Sequence, residues 1–238
     1  MVARSTRRDI TVAADGKNPK VLFLDSSDPQ EIRDLFDWGV LSGVTTNPLI
    51  LAREAPDVEL ESRIRAVCEV SRGHVSVELL AETEREMIEE GLRYHAWAPE
   101  RICIKVPLTG ESAMRVLATL VTRGIPVNAT CLMSFHQAYL AALAGSTYVS
   151  IFSGRVRDMG YDVRPVIAET RAALDREQLG ARLLIGSIRQ PIDVTDSIEA
   201  GAHIVTVPPA LLRKMLLHPQ TERTAREFND AWKRRGSH

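Results

Sequence analysis

The sequence predicts an α/β fold, a (β/α)8 TIM barrel with an extra C-terminal helix. Short β-rich runs alternate with helical patterns eight times along the 238 residues. That length suits one large α/β barrel or two small domains. An open doubly wound sheet is the alternative, but it would usually carry a glycine-rich phosphate loop after an early strand, and no GxGxxG occurs.

Residues 1–20 read as an N-terminal extension with a hairpin turn at Asp15-Gly16, and residues 21–238 as a single barrel domain. Val21–Asp25 is the first expected strand, and Asp28-Pro29 then opens a helix to about residue 38, with Asp as N-cap and Pro at the first helical position. Strand two is 43–47, followed by a helix over 58–71. Strand three is 74–80, and Thr83-x-x-Glu86 is a capping box for a helix ending near Tyr94. Strand four is 101–107, with a helix over 111–122. Strands five and six are 126–132 and 147–153, with helices over 134–144 and 164–179. Strands seven and eight are 182–187 and 203–207, with helices over 192–200 and 209–217. A last helix, 222–234, lies beyond the eighth unit, and its Phe228 and Trp232 fall on one stripe.

Composition narrows the partners. Hydrophobic residues make up 45% and charged residues 26%, as in an ordinary soluble globular protein. A net charge of −1 gives no electrostatic case for nucleic acid or a membrane surface. The longest apolar runs are strand-sized, far short of a membrane span. Three cysteines, 68, 103 and 131, lack CxxC spacing and suggest reduced thiols in a cytoplasmic protein. Residues 1–8 are basic, but no apolar run follows, so they are not a secretory signal. Asp9 and Asp15 argue against a transit peptide. The six histidines show no HxH or HExxH spacing, so no metal is expected.

The most informative residue is a lysine inside a strand. In Arg101-Ile102-Cys103-Ile104-Lys105-Val106-Pro107, alternation puts Cys103 and Lys105 on one face and Ile102, Ile104 and Val106 on the other. Only five lysines stand against 25 arginines, and the other four fall in loop, tail or helix segments. Burying an ammonium is costly or depresses its pKa, and a neutral amine attacks carbonyl carbon. The plainer reading is a strand-end lysine that snorkels to water.

In a barrel the active site lies at the C-terminal strand ends. That rule gathers Asp25, Thr45, Thr46, Asn47, Glu78, Lys105, Asn128, Thr130, Ser150, Phe152, Arg155, Ser187 and Arg189 at one mouth. The lysine can form an iminium, the carboxylates can move protons, and the arginines can hold an anion. Taken singly, each has a duller role. Asp25 could be a turn residue, Glu78 a structural ion pair, Asn47-Pro48 a helix-opening dipeptide, Gly154-Arg155 a plain loop and Arg189 an exposed charge.

Four segments, Gly43-Val44-Thr45-Thr46-Asn47-Pro48, Ile104-Lys105-Val106-Pro107, Gly154-Arg155 and Gly186-Ser187-Ile188-Arg189, occur in one order. They resemble the transaldolase family, most closely its short subfamily that also contains fructose-6-phosphate aldolases. The resemblance runs from about residue 21 to 234. It implies that Lys105 is the Schiff-base lysine and Asp25 the acid/base on the C4 hydroxyl. Glu78 and Thr130 would work on a catalytic water. Thr45, Asn47, Asn128, Ser150 and Phe152 would bind the donor sugar, and Arg155, Ser187 and Arg189 its phosphate. Glu78 and Phe152 match transaldolases, whereas the aldolase branch tends to have Gln and Tyr there.

The resemblance therefore implies transfer of a dihydroxyacetone unit from sedoheptulose 7-phosphate or fructose 6-phosphate to an aldose phosphate, in the pentose phosphate pathway, without cofactor or metal. It also implies a homo-oligomer, a decamer, joined through the C-terminal helix. A lyase releasing free dihydroxyacetone and a non-catalytic binding barrel are the competing readings. Ile151, Ser153 and the turn Ser134-Phe135-His136-Gln137 depart from the family pattern. They raise the expectation of a larger acceptor, a pentose phosphate giving an octulose phosphate.

Overall fold

The computed structural model describes residues 21–235. The extension 1–20, with its expected turn at Asp15-Gly16, lies outside the described residues. Eight parallel strands close in sequence order into a barrel, β8 pairing with β1. They are β1 (Val21–Asp25), β2 (Leu41–Thr45), β3 (Val75–Glu78), β4 (Ile102–Pro107), β5 (Val127–Leu132), β6 (Tyr148–Phe152), β7 (Arg182–Gly186) and β8 (Ile204–Val207).

The helices lie outside the barrel. They are α1 (Pro29–Phe36), α2 (Pro48–Glu54), α3 (Leu60–Val70), α4 (Glu84–Trp97), α5 (Glu111–Thr122), α6 (Phe135–Leu143), α7 (Ser153–Asp158), α8 (Val163–Arg176), α9 (Pro191–Glu199), α10 (Pro209–Lys214) and α11 (Pro219–Arg235). Their starts follow local chemistry. Asp28 caps α1 by accepting from Gln30 N and Glu31 N, and the Thr83–Glu86 capping box opens α4 as the sequence suggested.

Two helices go beyond the expected set. Strand β2 is followed at once by α2, capped by Asn47, and β6 runs directly into α7, where a loop was expected. α4 continues past Tyr94 to Trp97, whose ring lies 4.5 Å from that of Tyr94. α11 begins at Pro219, ahead of the expected residue 222, and none of its described residues is buried.

Two apolar regions follow from strand alternation. Residues pointing outward, such as Ile102, Ile104 and Val106, join the layer between barrel and helices. Residues pointing inward near the N-terminal ends, Phe23, Cys103, Tyr148, Leu184 and Ile204, form a separate plug inside the barrel. Gly43 makes the plug possible, because a Cβ there would lie 2.5 Å from the Phe23 ring. The plug closes one end, which leaves the C-terminal mouth as the open one.

Candidate active site at the C-terminal mouth

A cavity of about 430 Å³ opens at the C-terminal strand ends, within the size range of small-ligand sites. Lys105 forms its floor and is only 4% exposed. Register places Glu78 beside it on β3 and Asn128 beside it on β5. Lys105 Nζ lies 2.8 Å from Glu78 Oε2 and donates to the Thr46 carbonyl at 2.8 Å. Removing one member of such a buried pair leaves the other uncompensated, so the two act as a unit.

Asp25 stands at the end of β1, facing Thr45 across the β1–β2 pairing. Thr45 Oγ1 donates to Asp25 Oδ1 at 2.7 Å and lies 2.6 Å from Thr206 Oγ1. A hydroxyl has one proton to give, so Thr206 donates to Thr45 and Thr45 to Asp25. Burial holds the Asp25 carboxyl above its ordinary value, against the Thr45 hydrogen bond and the Lys105 charge, which pull it down.

The third wall is polar and largely satisfied. Ser150 Oγ donates to Asn128 Oδ1 at 2.6 Å, and Asn128 Nδ2 donates to Ser76 Oγ at 3.2 Å. This fixes the Asn128 amide and leaves its second N–H for a ligand. Thr130 Oγ1, by contrast, is buried in the same lining without a partner among the described residues. Such a group is costly unless a water or substrate oxygen meets it. The neighbouring Cys131 thiol is pushed up by burial and by the Glu78 carboxylate, which keeps it protonated and a poor nucleophile.

Arg155 and Ser187 also line the cavity. Ser187 has a φ of 58°, a left-handed conformation uncommon for serine. Its carbonyl accepts from Gly154 N at 3.1 Å, and a Cβ on Gly154 would meet that carbonyl at 2.5 Å. Only glycine permits so close an approach of Ser187, the residue after β7, to α7.

Eleven of the thirteen residues expected at the mouth line this cavity, Asp25, Thr45, Asn47, Glu78, Lys105, Asn128, Thr130, Ser150, Phe152, Arg155 and Ser187, while Thr46 lies outside the lining and accepts from Lys105 through its carbonyl. Arg189 does not line it. Its two terminal nitrogens pair with Asp158 at 2.6 and 2.5 Å. Its Nε still lies over Gly154, 2.8 Å from where a Cβ would stand, so the guanidinium borders the rim.

Other residues of the site escaped the sequence reading. Thr206, Cys131, Met133 and Leu49 also line the cavity. Thr206 was detectable in principle as the one hydroxyl within the apolar run of β8. Three carboxylates hold the surrounding loops without lining the cavity. Glu54 accepts from Ser27 N, Glu90 from Leu80 N and Ala81 N, and Asp193 from Arg189 N and Gln190 N, all at 2.8–3.0 Å. Ile151 and Ser153, the expected signs of a larger acceptor, are fully buried and absent from the wall, as is the 134–137 turn.

A (β/α)8 barrel with a carboxylate- and lysine-bearing cavity at its C-terminal mouth has the architecture of the barrel enzymes. A model of the Transaldolase/Fructose-6-phosphate aldolase family matches residues 22–236. The chain is 40% identical over 216 residues to a probable transaldolase of Rhodospirillum centenum, covering 90% of this chain and 91% of that protein. A probable transaldolase of Oceanobacillus iheyensis is 39% identical, with 88% and 97% covered, and one of Thermus thermophilus is 38% identical, with 90% and 98% covered. The chain therefore belongs to the transaldolase/fructose-6-phosphate aldolase family and is an enzyme of the transaldolase/aldolase kind. Among solved structures, a mandelate oxidase mutant superposes with a TM-score of 0.56 at 17% identity, over 81% of this chain and 65% of that one. That likeness concerns the barrel fold alone.

Proposed function

We propose that the chain is a transaldolase that carries a dihydroxyacetone unit on Lys105 from a ketose phosphate to an aldose phosphate. The observation that carries this reading is the buried Lys105–Glu78 pair with Asp25 in the same cavity. Lys105 passes a proton to Glu78 and attacks the C2 carbonyl of fructose 6-phosphate or sedoheptulose 7-phosphate. Glu78 and Thr130 assist loss of water, and an iminium forms. Asp25 takes the C4 hydroxyl proton, the C3–C4 bond breaks, and the iminium nitrogen accepts the electron pair as an enamine. The first aldose phosphate leaves, the acceptor is attacked, and hydrolysis frees Lys105.

Asn128, Ser150, Asn47, Thr45 and Phe152 orient the donor. Arg155 and Ser187 take the phosphate, with Arg189 at the rim. A guanidinium suits that task because it offers paired donors in a fixed plane. Glu78 and Phe152 favour transfer over free aldol cleavage. The free thiols of Cys68, Cys103 and Cys131 suit a reducing cytoplasm. A homo-oligomer joined through α11 fits the exposure of Phe228 and Trp232, each 70%. Light scattering should give a multimer mass for the full chain and a smaller one after Phe228→Ser and Trp232→Ser. A monomer mass for the parent removes that part of the reading.

The deciding experiment incubates the enzyme with fructose 6-phosphate, with and without an acceptor aldose phosphate, and follows products by mass. A transaldolase yields a new ketose phosphate only with the acceptor. Free dihydroxyacetone accumulating at the same rate without acceptor would identify a lyase instead.

A further inference from the structure

We propose that Glu54 is the positioning residue that holds Asp25 for proton transfer. The inference rests on the acid/base role of Asp25 proposed above. Asp25 is followed by Ser26 and Ser27, both fully buried, before Asp28 caps α1. Three donors of this short loop converge on one oxygen. Glu54 Oε2 accepts from Ser27 N at 2.8 Å, Ser26 Oγ at 3.1 Å and Ser27 Oγ at 3.1 Å. Ser26 N is held by the Thr45 carbonyl at 3.2 Å, and Asp28 N by Ser26 Oγ at 3.1 Å. The backbone that sets the Asp25 carboxylate is thus tied to α2 through a single side chain.

Glu54 is the last residue of α2, whose N-cap Asn47 and first residues Pro48 and Leu49 line the cavity. One short helix therefore touches the ligand site at its start and clamps the Asp25 loop at its end. Glu54 Oε1 turns outward to Arg53 at 2.6 Å, so the inner oxygen is free for the loop. The clamp is dry enough to matter, because a buried hydroxyl or N–H that loses its acceptor has no water to replace it.

Glu54 also acts by charge. The charged groups that face Asp25 are Lys105 from β4 and Glu54 and Arg53 from α2, with the Thr45 hydroxyl from β2. Lys105 and Arg53 favour the Asp25 carboxylate, and Glu54 opposes it. The same residue thus fixes where Asp25 stands and helps keep it proton-accepting at a higher pH than a free carboxylate.

The test uses the full-length enzyme transferring from fructose 6-phosphate to an acceptor aldose phosphate, with borohydride trapping of the Lys105 adduct as the second readout. Glu54→Ala should lower kcat about tenfold or more, since small misplacements of a reacting group are costly. KM should stay within about twofold and adduct formation should persist, because the binding and lysine groups are untouched. Glu54→Gln keeps the shape and an acceptor oxygen, so kcat should largely recover. With the negative charge gone, Asp25 ionises more readily and the acid limb of kcat should move to lower pH. An acid limb that stays in place, or wild-type kcat in Glu54→Ala, overturns the assignment. Should Glu54→Ala fail to fold, the Glu54→Gln pH profile decides alone. If wild-type protein gives no adduct at Lys105, the functional reading falls and takes this inference with it. If the adduct forms but the Glu54 variants match wild type, only this inference falls.

Discussion

Phe23 and Asp25, Cys103 and Lys105, Tyr148 and Ser150, and Ile204 and Thr206 are pairs of residues two positions apart on one strand. In each pair the first belongs to the apolar plug at the N-terminal end of the barrel, and the second lines the cavity at the other end. Two residues of strand advance the chain by roughly 6.6 Å. Over that distance the interior changes from packed rings to reactive groups. In the plug the Phe23 and Tyr148 rings meet edge to face at 5.7 Å, and the Tyr148 hydroxyl is 2.8 Å from His74 Nδ1. At the mouth a lysine and a carboxylate are paired, a second carboxylate is held above its usual value, and Thr130 Oγ1 has no partner among the described residues. The left-handed residues Cys131 and Ser187 also lie there. On the function proposed above, stability rests at one end and chemistry at the other. Mutations at the mouth should remove turnover and spare the fold, and mutations in the plug should do the reverse.

The strongest challenge to that division is Lys105→Ala. Activity should fall by roughly 10⁴-fold or more, as expected when a covalent nucleophile is lost. The borohydride-trapped adduct, located by peptide mass, should disappear while circular dichroism stays native. An adduct on another lysine would move the chemistry away from β4.

Asp25→Asn comes next. Cleavage should drop by about 10²–10⁴-fold, the range for a positioned acid or base, while the Lys105 adduct still forms. The sign of the pH effect follows from burial, which raises the Asp25 pKa. Asp25 accepts a proton only when ionised, so wild-type cleavage should fail on the acid side at a pH above the free-carboxylate value of about 4. An acid limb at or below that value would mean that another group takes the proton.

Much of this division was legible in the sequence, and for local reasons. Strand alternation placed Cys103 and Lys105 inward, and Asp28 and Thr83-x-x-Glu86 marked helix starts within a few residues of their partners. What escaped was short or non-local. The helices α2 and α7, of seven and six residues, are too brief to show a helical period. The bond from Ser27 N to Glu54 crosses 27 positions, and the pairing of Arg189 with Asp158 crosses 31. No spacing rule reports such contacts. The side-chain direction of Arg189 was decided by a partner that only the folded chain supplies.

At the closed end, His203 tests stability through pH. It is buried just before β8, and its Nδ1 accepts from Leu183 N at 2.9 Å. Burial, then Arg171 and Arg182, push its pKa down from 6.5 to about 4. Below pH 6.5 the unfolded chain binds a proton that the folded chain refuses. Stability contributed by the neutral ring is therefore present above pH 6.5 and is lost as pH falls toward 4. The full loss is about 3 kcal/mol by linkage. Urea unfolding of wild type and His203→Asn at pH 7 and pH 4 should show the wild type losing that much more. Parallel losses would mean that His203 ionises freely in the fold.

The smallest effect is the most discriminating, because it sits one step below the chemistry on β6. Tyr148→Phe keeps the ring against Phe23 and removes only the hydroxyl that meets His74. The lost hydrogen bond and the unpaired imidazole nitrogen should cost about 1–2 kcal/mol. For a chain of this size that lowers Tm by about 2–8 °C. Ser150, two residues on, keeps its own bond to Asn128, so the donor wall is undisturbed. Turnover and KM should stay within about twofold of wild type, well under the tenfold that 1.4 kcal/mol of transition-state energy represents. A tenfold fall in kcat with an unchanged Tm would show that the plug transmits its packing to Asn128 and Lys105. Stability and chemistry would then not be separable by a two-residue step along the strand.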